Sequence, residues 1–240
     1  MTKNAEIALT INDLHYHLLD AYKETEKELP LNYLGSNVSY ISPVNFTESM
    51  SNPRHRWFPY KEGFSPSFVM NFLNKHGSRG KGIVLDPFAG VGTTPIVASN
   101  LGYDSIGMDV SPLAIFVAKT KTLNLNSNDI KEFNKIINNF GIDRLINIYP
   151  APDNKTVVSY YDPEYLDALL RVRAFIETID NNKIRSLFFL AYLARIEDFS
   201  THRKAGNGVK RKTNSDYNNN LTAIESVKIS MKNILNQYIE

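Results

Sequence analysis

The feature that most restricts the fold of this 240-residue chain is a short apolar run that leads directly into a turn with two glycines. Residues 83–85 are all aliphatic, and such a run is typical of a central parallel strand buried on both faces. Asp86 follows at the strand end, the edge at which open α/β sheets bind ligands. Gly90 and Gly92 permit a positive φ angle and a close approach of a ligand to the backbone. The segment therefore predicts a ligand-binding turn between a strand and a helix.

The next residues extend this unit. Thr93 and Thr94 are predicted to cap the following helix, and Pro95 fits its first turn. Residues 103–109 read as a second strand that ends in Asp109, the position at which a βαβ unit holds a ribose diol. The alternative is an ordinary tight turn in which Asp86 caps the helix.

The residues around the glycines restrict the ligand. A dinucleotide-binding turn has a third glycine or an alanine where this chain has Pro95, and it does not place Asp86 and Pro87 before the first glycine. A carboxylate at Asp86 would repel a pyrophosphate and suits a cationic group, such as the amino group of a methionine moiety.

The run 86–94 closely resembles the S-adenosylmethionine loop of DNA amino-methyltransferases, which methylate N6 of adenine or N4 of cytosine. The resemblance implies S-adenosylmethionine as the cofactor, with Asp109 holding its ribose hydroxyls. Residues 54–69 resemble the N-terminal cofactor motif of the same family, which packs against the methionine end, and Gly63 would make this segment a lid. The alternative is a surface loop anchored by Trp57, Phe58 and Phe64, followed by a helix from about Ser67 to His76.

The residues that the two motifs assign to the cofactor share a position next to the glycine turn. They are Lys61, Gly63, Phe64, Ser65, Asp86, Pro87, Phe88, Gly90, Gly92, Thr93, Thr94 and Asp109.

Composition excludes several other functions. The chain has no cysteine, which excludes disulfides, thiolate metal sites and the thiol nucleophile of C5-cytosine methyltransferases, and we predict no metal site. No apolar run reaches the roughly 18 residues of a membrane span, and the N-terminus is too polar for a signal peptide, so we expect a cytoplasmic protein without membrane contact. The net charge of +2 is small, so any contact with nucleic acid requires a local basic patch.

Residues 202–212 are such a patch, with five Lys and Arg side chains around two glycines. The composition predicts a mobile loop that neutralises phosphates, and the alternative is a solvated loop without a partner. The run 200–208 resembles an Asn/Ser-x-x-Arg/Lys-x-Gly-x-Gly element of some enzymes in the family. The residues predicted to contact double-stranded DNA are Arg203, Lys204, Asn207, Lys210, Arg211 and Lys212.

The rest of the chain is mainly helical. Apolar residues at helical spacing predict helices over 5–28, 112–122, 128–140, 163–179, 183–198 and 221–238, with irregular connections over 32–46 and 141–161 that include short strands. We therefore expect an α/β fold, a partial Rossmann-like methyltransferase fold with large helical additions. Residues 1–125 would be the cofactor-binding part, and residues 126–240, with the basic loop 200–220, a DNA-contacting region.

A catalytic motif is absent from the sequence. The family holds its target base with Asp/Asn/Ser-Pro-Pro-Tyr/Phe at the end of a later strand, whereas this chain has no Pro-Pro dipeptide. Its nearest match joins Asp162 and Pro163 to Tyr165, which we interpret as a capping acid and a helix start, so no catalytic residue is assigned.

Too few strands are convincing for a whole methyltransferase sheet. The resemblance therefore implies the front half of an enzyme of a restriction-modification system, either a natural subunit or a truncation, which needs a second polypeptide with the Pro-Pro-Tyr strand. The alternatives are a non-catalytic module that binds S-adenosylmethionine or DNA, and an RNA methyltransferase, whose cofactor loops are similar.

Overall fold

The computed structural model describes residues 47–60, 63–77, 81–143, 148–205, 208–212 and 221–238, all within the compact unit Ile41–Glu240. The helix expected over 5–28 and the irregular stretch 32–46 lie outside the described residues, as do Lys61 and Asn207. Of the helices that are described, none has the length and apolar character to cross a membrane.

A parallel βαβ unit lies at the centre of the predicted cofactor region. Strand β1 (Ile83–Asp86) leads through the glycine turn to helix α2 (Thr93–Asn100), and strand β2 (Asp104–Gly107) pairs in parallel with β1. Leu85 lies opposite Ile106 in this register. Helix α1 (Pro66–His76) precedes the unit, close to the predicted start at Ser67, and the Ser65 side chain caps it by accepting from the Phe68 amide. Mixed helix and sheet agree with the predicted α/β class.

The two strands are covered on one face only. Val84 packs against a small core formed by α1, α2 and Tyr103, to which Val69 and Val97 contribute. On the other face, Ile83 is 66% exposed and Leu85 59% exposed. The prediction of a strand buried on both faces is therefore wrong for the described chain, because successive side chains alternate between the faces and only one face is packed against helices.

The remaining helices agree closely with the apolar spacing of the sequence, except for a single turn within 141–161, where the sequence predicted an irregular connection. They are α3 (Pro112–Lys121), α4 (Ser127–Asn138), a single-turn α5 (Lys155–Val158), α6 (Pro163–Glu177), α7 (Asn182–Arg195) and α8 (Ala223–Asn236). Short 3₁₀ helices cover Thr47–Met50, His55–Trp57 and Ile196–Phe199. No strand occurs among the described residues between 141 and 161, where the sequence had led us to expect short ones.

The main core joins these helices to the cofactor region. Phe188 of α7 is fully buried, and the rings of Phe133, Phe140 and Phe175 pack around it. Trp57, Val91 and Val117 belong to the same buried cluster as the apolar faces of α4, α6, α7 and α8. The helical region thus supports the back of the glycine turn.

The basic segment is ordered as a hairpin. Strands β3 (His202–Ala205) and β4 (Gly208–Arg211) pair antiparallel, with Arg203 opposite Lys210. The Lys212 amide donates to Thr201 O at 2.8 Å, and the Thr201 hydroxyl donates to Tyr160 O at 2.8 Å. The prediction of a mobile, irregular loop is therefore wrong for 202–205 and 208–212, because strand pairing and these bonds fix the backbone.

Candidate cofactor site

The glycine turn is held by the second strand. The Met108 amide donates to Asp86 O at 2.9 Å, and the Ala89 amide donates to Met108 O at 2.8 Å, so strand-like bonding continues past the end of β1. Gly90 has a φ angle of 51° and Gly92 one of 91°. A Cβ at Gly92 would lie 2.9 Å from the Ala118 Cβ of α3, closer than non-bonded carbon atoms approach. Glycine is therefore required at 92 for both its conformation and its packing.

Asp109 links the end of β2 to this turn. Its Oδ2 accepts from the Gly90 amide at 3.0 Å, and its Oδ1 accepts from the Ser111 amide at 2.8 Å. Each carboxylate oxygen can accept more than one hydrogen bond. The half-buried carboxylate therefore fixes the turn and keeps acceptor capacity for the ribose hydroxyls that the resemblance assigns to it.

The Asp86 carboxylate accepts a hydrogen bond from the described residues through one of its two oxygens. Its Oδ1 accepts from the Phe88 amide at 3.0 Å, and Oδ2 receives no hydrogen bond from the described part of the chain. The side chain is half-buried at the carboxyl end of β1, beside the 84% exposed ring of Phe88. It does not cap helix α2. An acceptor with one unused oxygen at this edge suits a cationic or hydrogen-bond-donating ligand.

The threonines after the glycines do not have the predicted capping role. Helix α2 begins at Thr93, its N-cap is Gly92, and no side chain caps it. Thr93 and Thr94 are buried, which reflects the close packing of this end of α2 against the core. The capping prediction is wrong because the helix starts before either hydroxyl reaches the N-cap position.

The N-terminal motif lies directly over the turn. A Cβ built at Gly90 would be 3.4 Å from the Tyr60 Cε1, and one at Gly63 would be 3.6 Å from Tyr60 O and 4.0 Å from the Thr93 Oγ1. Phe64 packs against the small core, next to Val84. The structure therefore brings Gly63, Gly90 and Thr93 together, as the sequence predicts.

The same segment is also anchored to the core. Trp57 is 5% exposed and its ring packs on Tyr238, with the ring centroids 4.4 Å apart. The Tyr238 hydroxyl donates to Trp57 O at 3.2 Å. Trp57 therefore anchors the segment to the core, as the alternative interpretation expects, and Tyr60 lies over the glycine turn. A role of the segment as a lid on the cofactor stays a prediction.

One buried cation near the site was missed by the sequence argument. Lys121, the last residue of α3, is 2% exposed, and its Nζ donates to His55 O at 2.9 Å and to Phe58 O at 3.2 Å. Burial lowers the pKa of Lys121 to about 7. Burial and the nearby Lys121 charge lower the pKa of His55 to about 4. The signal was available, since Lys121 falls on the same helical stripe as the buried Ala114 and Val117.

The hairpin places most of its basic side chains in solvent. Arg203, Lys210 and Arg211 are exposed, and Lys204 lies in β3. The Lys212 Nζ instead donates to Glu197 O at 2.9 Å and to Asp198 O at 2.8 Å, so this side chain fastens the hairpin to the end of the Ile196–Phe199 helix. The structure therefore separates Lys212 from the three exposed basic residues.

The nearest match to a catalytic motif lies at a helix start. Asp162 is the N-cap of α6 and Pro163 its first residue, but the Asp162 side chain makes no capping bond, contrary to the sequence prediction. Tyr165 stacks on Phe199, with ring centroids 5.6 Å apart. The preceding element is helix α5 rather than a strand.

Known proteins match the region that carries this geometry. The DNA methylase family model covers residues 23–120. The type II methyltransferase M.MjaII of Methanocaldococcus jannaschii is 32% identical over 149 residues, which are 58% of this chain and 27% of that protein. M.BsoBI of Geobacillus stearothermophilus is 37% identical over 79 residues, 33% of this chain and 16% of the relative. M.AvaI of a Nostoc species is 26% identical over 187 residues, 72% of this chain and 38% of the relative.

The chain thus spans less than two fifths of the length of each of these relatives. No solved structure matches it. A glycine turn at the carboxyl end of a parallel strand is the place at which open α/β sheets bind ligands. Residues 23–120 match the DNA methylase family model, and this match and the named relatives confirm the resemblance predicted from the cofactor loop.

Proposed function

We propose that this chain is the S-adenosylmethionine-binding part of a DNA amino-methyltransferase that acts on N6 of adenine or N4 of cytosine within a restriction-modification system. The observation that carries the proposal is the half-buried Asp86, whose Oδ2 receives no hydrogen bond from the described residues, next to a turn that Asp109 fixes from the neighbouring strand. Residues 1–125 would be the cofactor-binding part and residues 126–240 the part that contacts DNA.

The residues around the turn fit the chemical groups of the cofactor. The unused Asp86 oxygen would accept from the ammonium group of the methionine moiety, and Asp109 from the ribose hydroxyls. Gly90 has no Cβ, so the Tyr60 ring can lie close to the backbone of the turn. When bound, S-adenosylmethionine would supply an electrophilic methyl group on its sulfonium, and transfer of that methyl to an exocyclic amine would break the S–CH3 bond and release S-adenosylhomocysteine and a proton.

The residues that hold the target base are proposed to lie on additional polypeptide. The sequence contains no Pro-Pro dipeptide, and its match to longer relatives is partial. Ile83 and Leu85 of β1 and Ile106 of β2 present an exposed apolar sheet face. Burying such a face is favourable at about 25 cal/mol per Å² of apolar surface, so further strands and helices have a surface on which to pack.

The hairpin β3–β4 is the proposed DNA contact. Arg203 and Lys210 lie directly opposite each other, an arrangement of like charges that destabilises a hairpin and that a phosphate would relieve. A two-stranded ribbon is narrow enough to enter the major groove.

Methyl transfer to DNA tests the proposal as a whole. We expect the 240-residue chain alone to transfer no labelled methyl group and to bind S-adenosylmethionine weakly or not at all. Adding a polypeptide with the family's Pro-Pro-Tyr strand should restore transfer. Efficient methylation by the chain alone would contradict the need for a complement. Cofactor retention without transfer in every reconstituted complex would favour a non-catalytic module, and transfer to RNA alone would favour an RNA methyltransferase.

Asp86 carries the most specific prediction about the cofactor. Changing Asp86 to Ala in the complemented protein removes a charge-assisted contact, which contributes about 1.5–3 kcal/mol, so cofactor affinity should fall at least tenfold. Asp104→Ala is the matched control, since that carboxylate is exposed at the start of β2. Equilibrium dialysis with labelled cofactor measures both variants, and an unchanged dissociation constant for Asp86→Ala would refute the assignment.

The hairpin can be tested by the salt dependence of DNA binding. Each phosphate contact contributes about 0.9 to the slope of log affinity against log salt concentration, so Lys210→Ala should reduce that slope by about one contact. Lys228→Ala is the control, because it removes the same charge from α8, where Lys228 pairs with Asp143. Equal slopes for the two variants would exclude a phosphate contact at Lys210.

A further inference from the structure

Lys121 and the segment 54–60 hold each other by reciprocal hydrogen bonds. The Lys121 Nζ donates to His55 O and Phe58 O, and the Arg54 Nη1 donates back to Lys121 O at 3.1 Å. The donors and acceptors come from positions more than 60 residues apart in the sequence. The side chains of Lys121 and Arg54 thus donate to main-chain carbonyls that would otherwise lack a partner within a helix or strand.

The backbone of this segment is strained where Lys121 meets it. Arg54 has a φ angle of 62° and a ψ angle of −43°, an unfavourable conformation for a residue with a Cβ. Such conformations persist only where surrounding contacts enforce them, and they cluster at functional sites. Here the enforcing contacts include the Arg54 bond to Lys121 O and the packing of the Arg54 guanidinium 5.9 Å from the Trp57 ring centroid.

The bonded segment leads directly to the cofactor turn. Two residues after Phe58, the ring of Tyr60 lies over Gly90. A small cavity beside this contact is lined by His55, Tyr60, Val91 and Lys121. From this geometry we propose that Lys121 is a positioning residue of the cofactor site, which holds the segment 54–60 so that Tyr60 lies over the glycine turn. The inference rests on the proposed function, since it assigns a role within that site.

The burial of Lys121 gives its role a pH signature. Because the pKa of Lys121 is about 7 when the segment is docked and returns toward its ordinary value of 10.5 when the segment opens into water, docking releases a proton. Docking therefore strengthens as pH rises above about 7 and is independent of this group below it. His55 acts in the same direction at lower pH, between its docked pKa of about 4 and its usual 6.5.

The other charged or ionisable groups around Lys121 do not obscure this window. They are Glu48, which acts on His55, Arg54 on the opposite side and Tyr60 in the shared cavity. Carboxylic acids, guanidinium groups and phenols ordinarily titrate outside the range from about pH 7 to about pH 9.

Trp57 provides a readout that needs no cofactor, because it is the chain's single tryptophan and lies inside the segment. Acrylamide quenching of its fluorescence should decrease between about pH 7 and about pH 9 in the wild-type chain. Lys121→Met removes the donors and the titration, so quenching should be stronger than in the wild type and constant over that range. Lys119→Met, also in the last turn of α3 but exposed, should match the wild type.

The second readout is cofactor affinity in the complemented protein. Lys121→Met should weaken S-adenosylmethionine binding about tenfold and raise its KM, while kcat at saturating cofactor stays within about twofold, because loss of a positioning contact chiefly affects binding. Lys119→Met should leave the KM for the cofactor unchanged.

The inference would be overturned if acrylamide quenched Trp57 equally in Lys121→Met and the wild type, or if quenching in the wild type did not depend on pH. It would also be overturned if Trp57 were quenched more strongly in Lys121→Met but the cofactor affinity of that variant were unchanged. If Lys121→Met does not fold, the wild-type pH profile decides. If the complemented wild-type protein retains no cofactor, the proposed function fails, and the quenching comparison still decides whether Lys121 holds the segment.

Discussion

Two buried bases, His55 and Lys121, contribute to the pH dependence of the stability of this chain. Each has a folded-state pKa below its usual value, so the unfolded chain binds more protons between the two values and stability rises with pH there. The windows are about pH 4 to 6.5 for His55 and about pH 7 to 10.5 for Lys121.

We expect the free energy of unfolding to increase by about 1.5 kcal/mol between roughly pH 7 and pH 8.5, from the linkage of Lys121. Lys121→Met should abolish this increase. It should leave the separate loss below about pH 6.5, where His55 in the unfolded chain takes up a proton. Urea unfolding at several pH values measures both effects, and a slope above pH 7 that survives in Lys121→Met would contradict the assignment to this residue.

Glycine 92 offers a test of the turn that is independent of the cofactor. Gly92→Ala should destabilise the chain by about 2–4 kcal/mol, since it adds a strained φ angle to an overpacked contact with Ala118. Gly102→Ala is the matched control, because Gly102 has a φ angle of 80° but nothing within 4 Å of its Cβ position, so it carries only the strain. Equal melting temperatures for the two variants would mean that the Ala118 contact costs nothing.

At the scale of elements, the N-caps of two helices differ in whether a side chain stabilises the first turn. Asn126 caps α4 by accepting from the Asn128 and Asp129 amides, and the Asp129 side chain accepts from the Asn126 amide in return. The cap of α6 at Asp162 has no such bond.

Asn126→Ala should therefore lower stability by about 1 kcal/mol, whereas Asp162→Ala should change it by less than about 0.5 kcal/mol. Chemical denaturation of the two variants gives the comparison. If Asp162→Ala costs as much as Asn126→Ala, the acid at 162 has a stabilising role that its geometry does not explain.

The elements also show why some predictions succeeded. Local signals fix the βαβ unit and the helices, because the glycine turn and the apolar stripe at Ala114 and Val117 need only near neighbours to be recognised. The hairpin at 202–211 was missed, since charge composition favoured a loop whereas distant bonds to Tyr160 O fix its backbone. The burial of Lys121 could be predicted from its place on the apolar stripe of α3, but its two acceptors could not, because they lie more than 60 residues away. The exposure of Ile83 depends on what packs against the sheet, which its own strand sequence cannot report.

At the scale of the whole molecule, the open sheet face makes the chain prone to association. Ile83, Leu85 and Ile106 are each more than half exposed, and exposed apolar surface of this kind marks interaction sites or aggregation. We expect the chain alone to bind a hydrophobic dye such as ANS and to self-associate with rising concentration.

The double substitution Ile83→Thr and Ile106→Thr should reduce dye binding and association at little cost in melting temperature, because threonine also favours strands. Val84→Thr is the control on the packed face, where a buried hydroxyl should lower stability by about 1–3 kcal/mol and leave association unchanged. Dye titration and analytical ultracentrifugation distinguish the faces. If the double variant still self-associates as strongly as the wild type, the surface responsible for association is not this sheet face.

The contact between Gly92 and Ala118 has an evolutionary consequence. The turn and helix α3 approach so closely there that a side chain larger than alanine at 118 would push against the backbone of the glycine turn. Positions 92 and 118 should therefore vary as a pair among relatives, with glycine at 118 the residue that best tolerates a change at 92. Ala118→Gly should accordingly recover only part of the steric defect of Gly92→Ala, because the Cα of residue 118 stays 3.0 Å from the added Cβ and the φ strain remains. The sequence of this turn is therefore restricted by helix α3 behind it as well as by its own glycines.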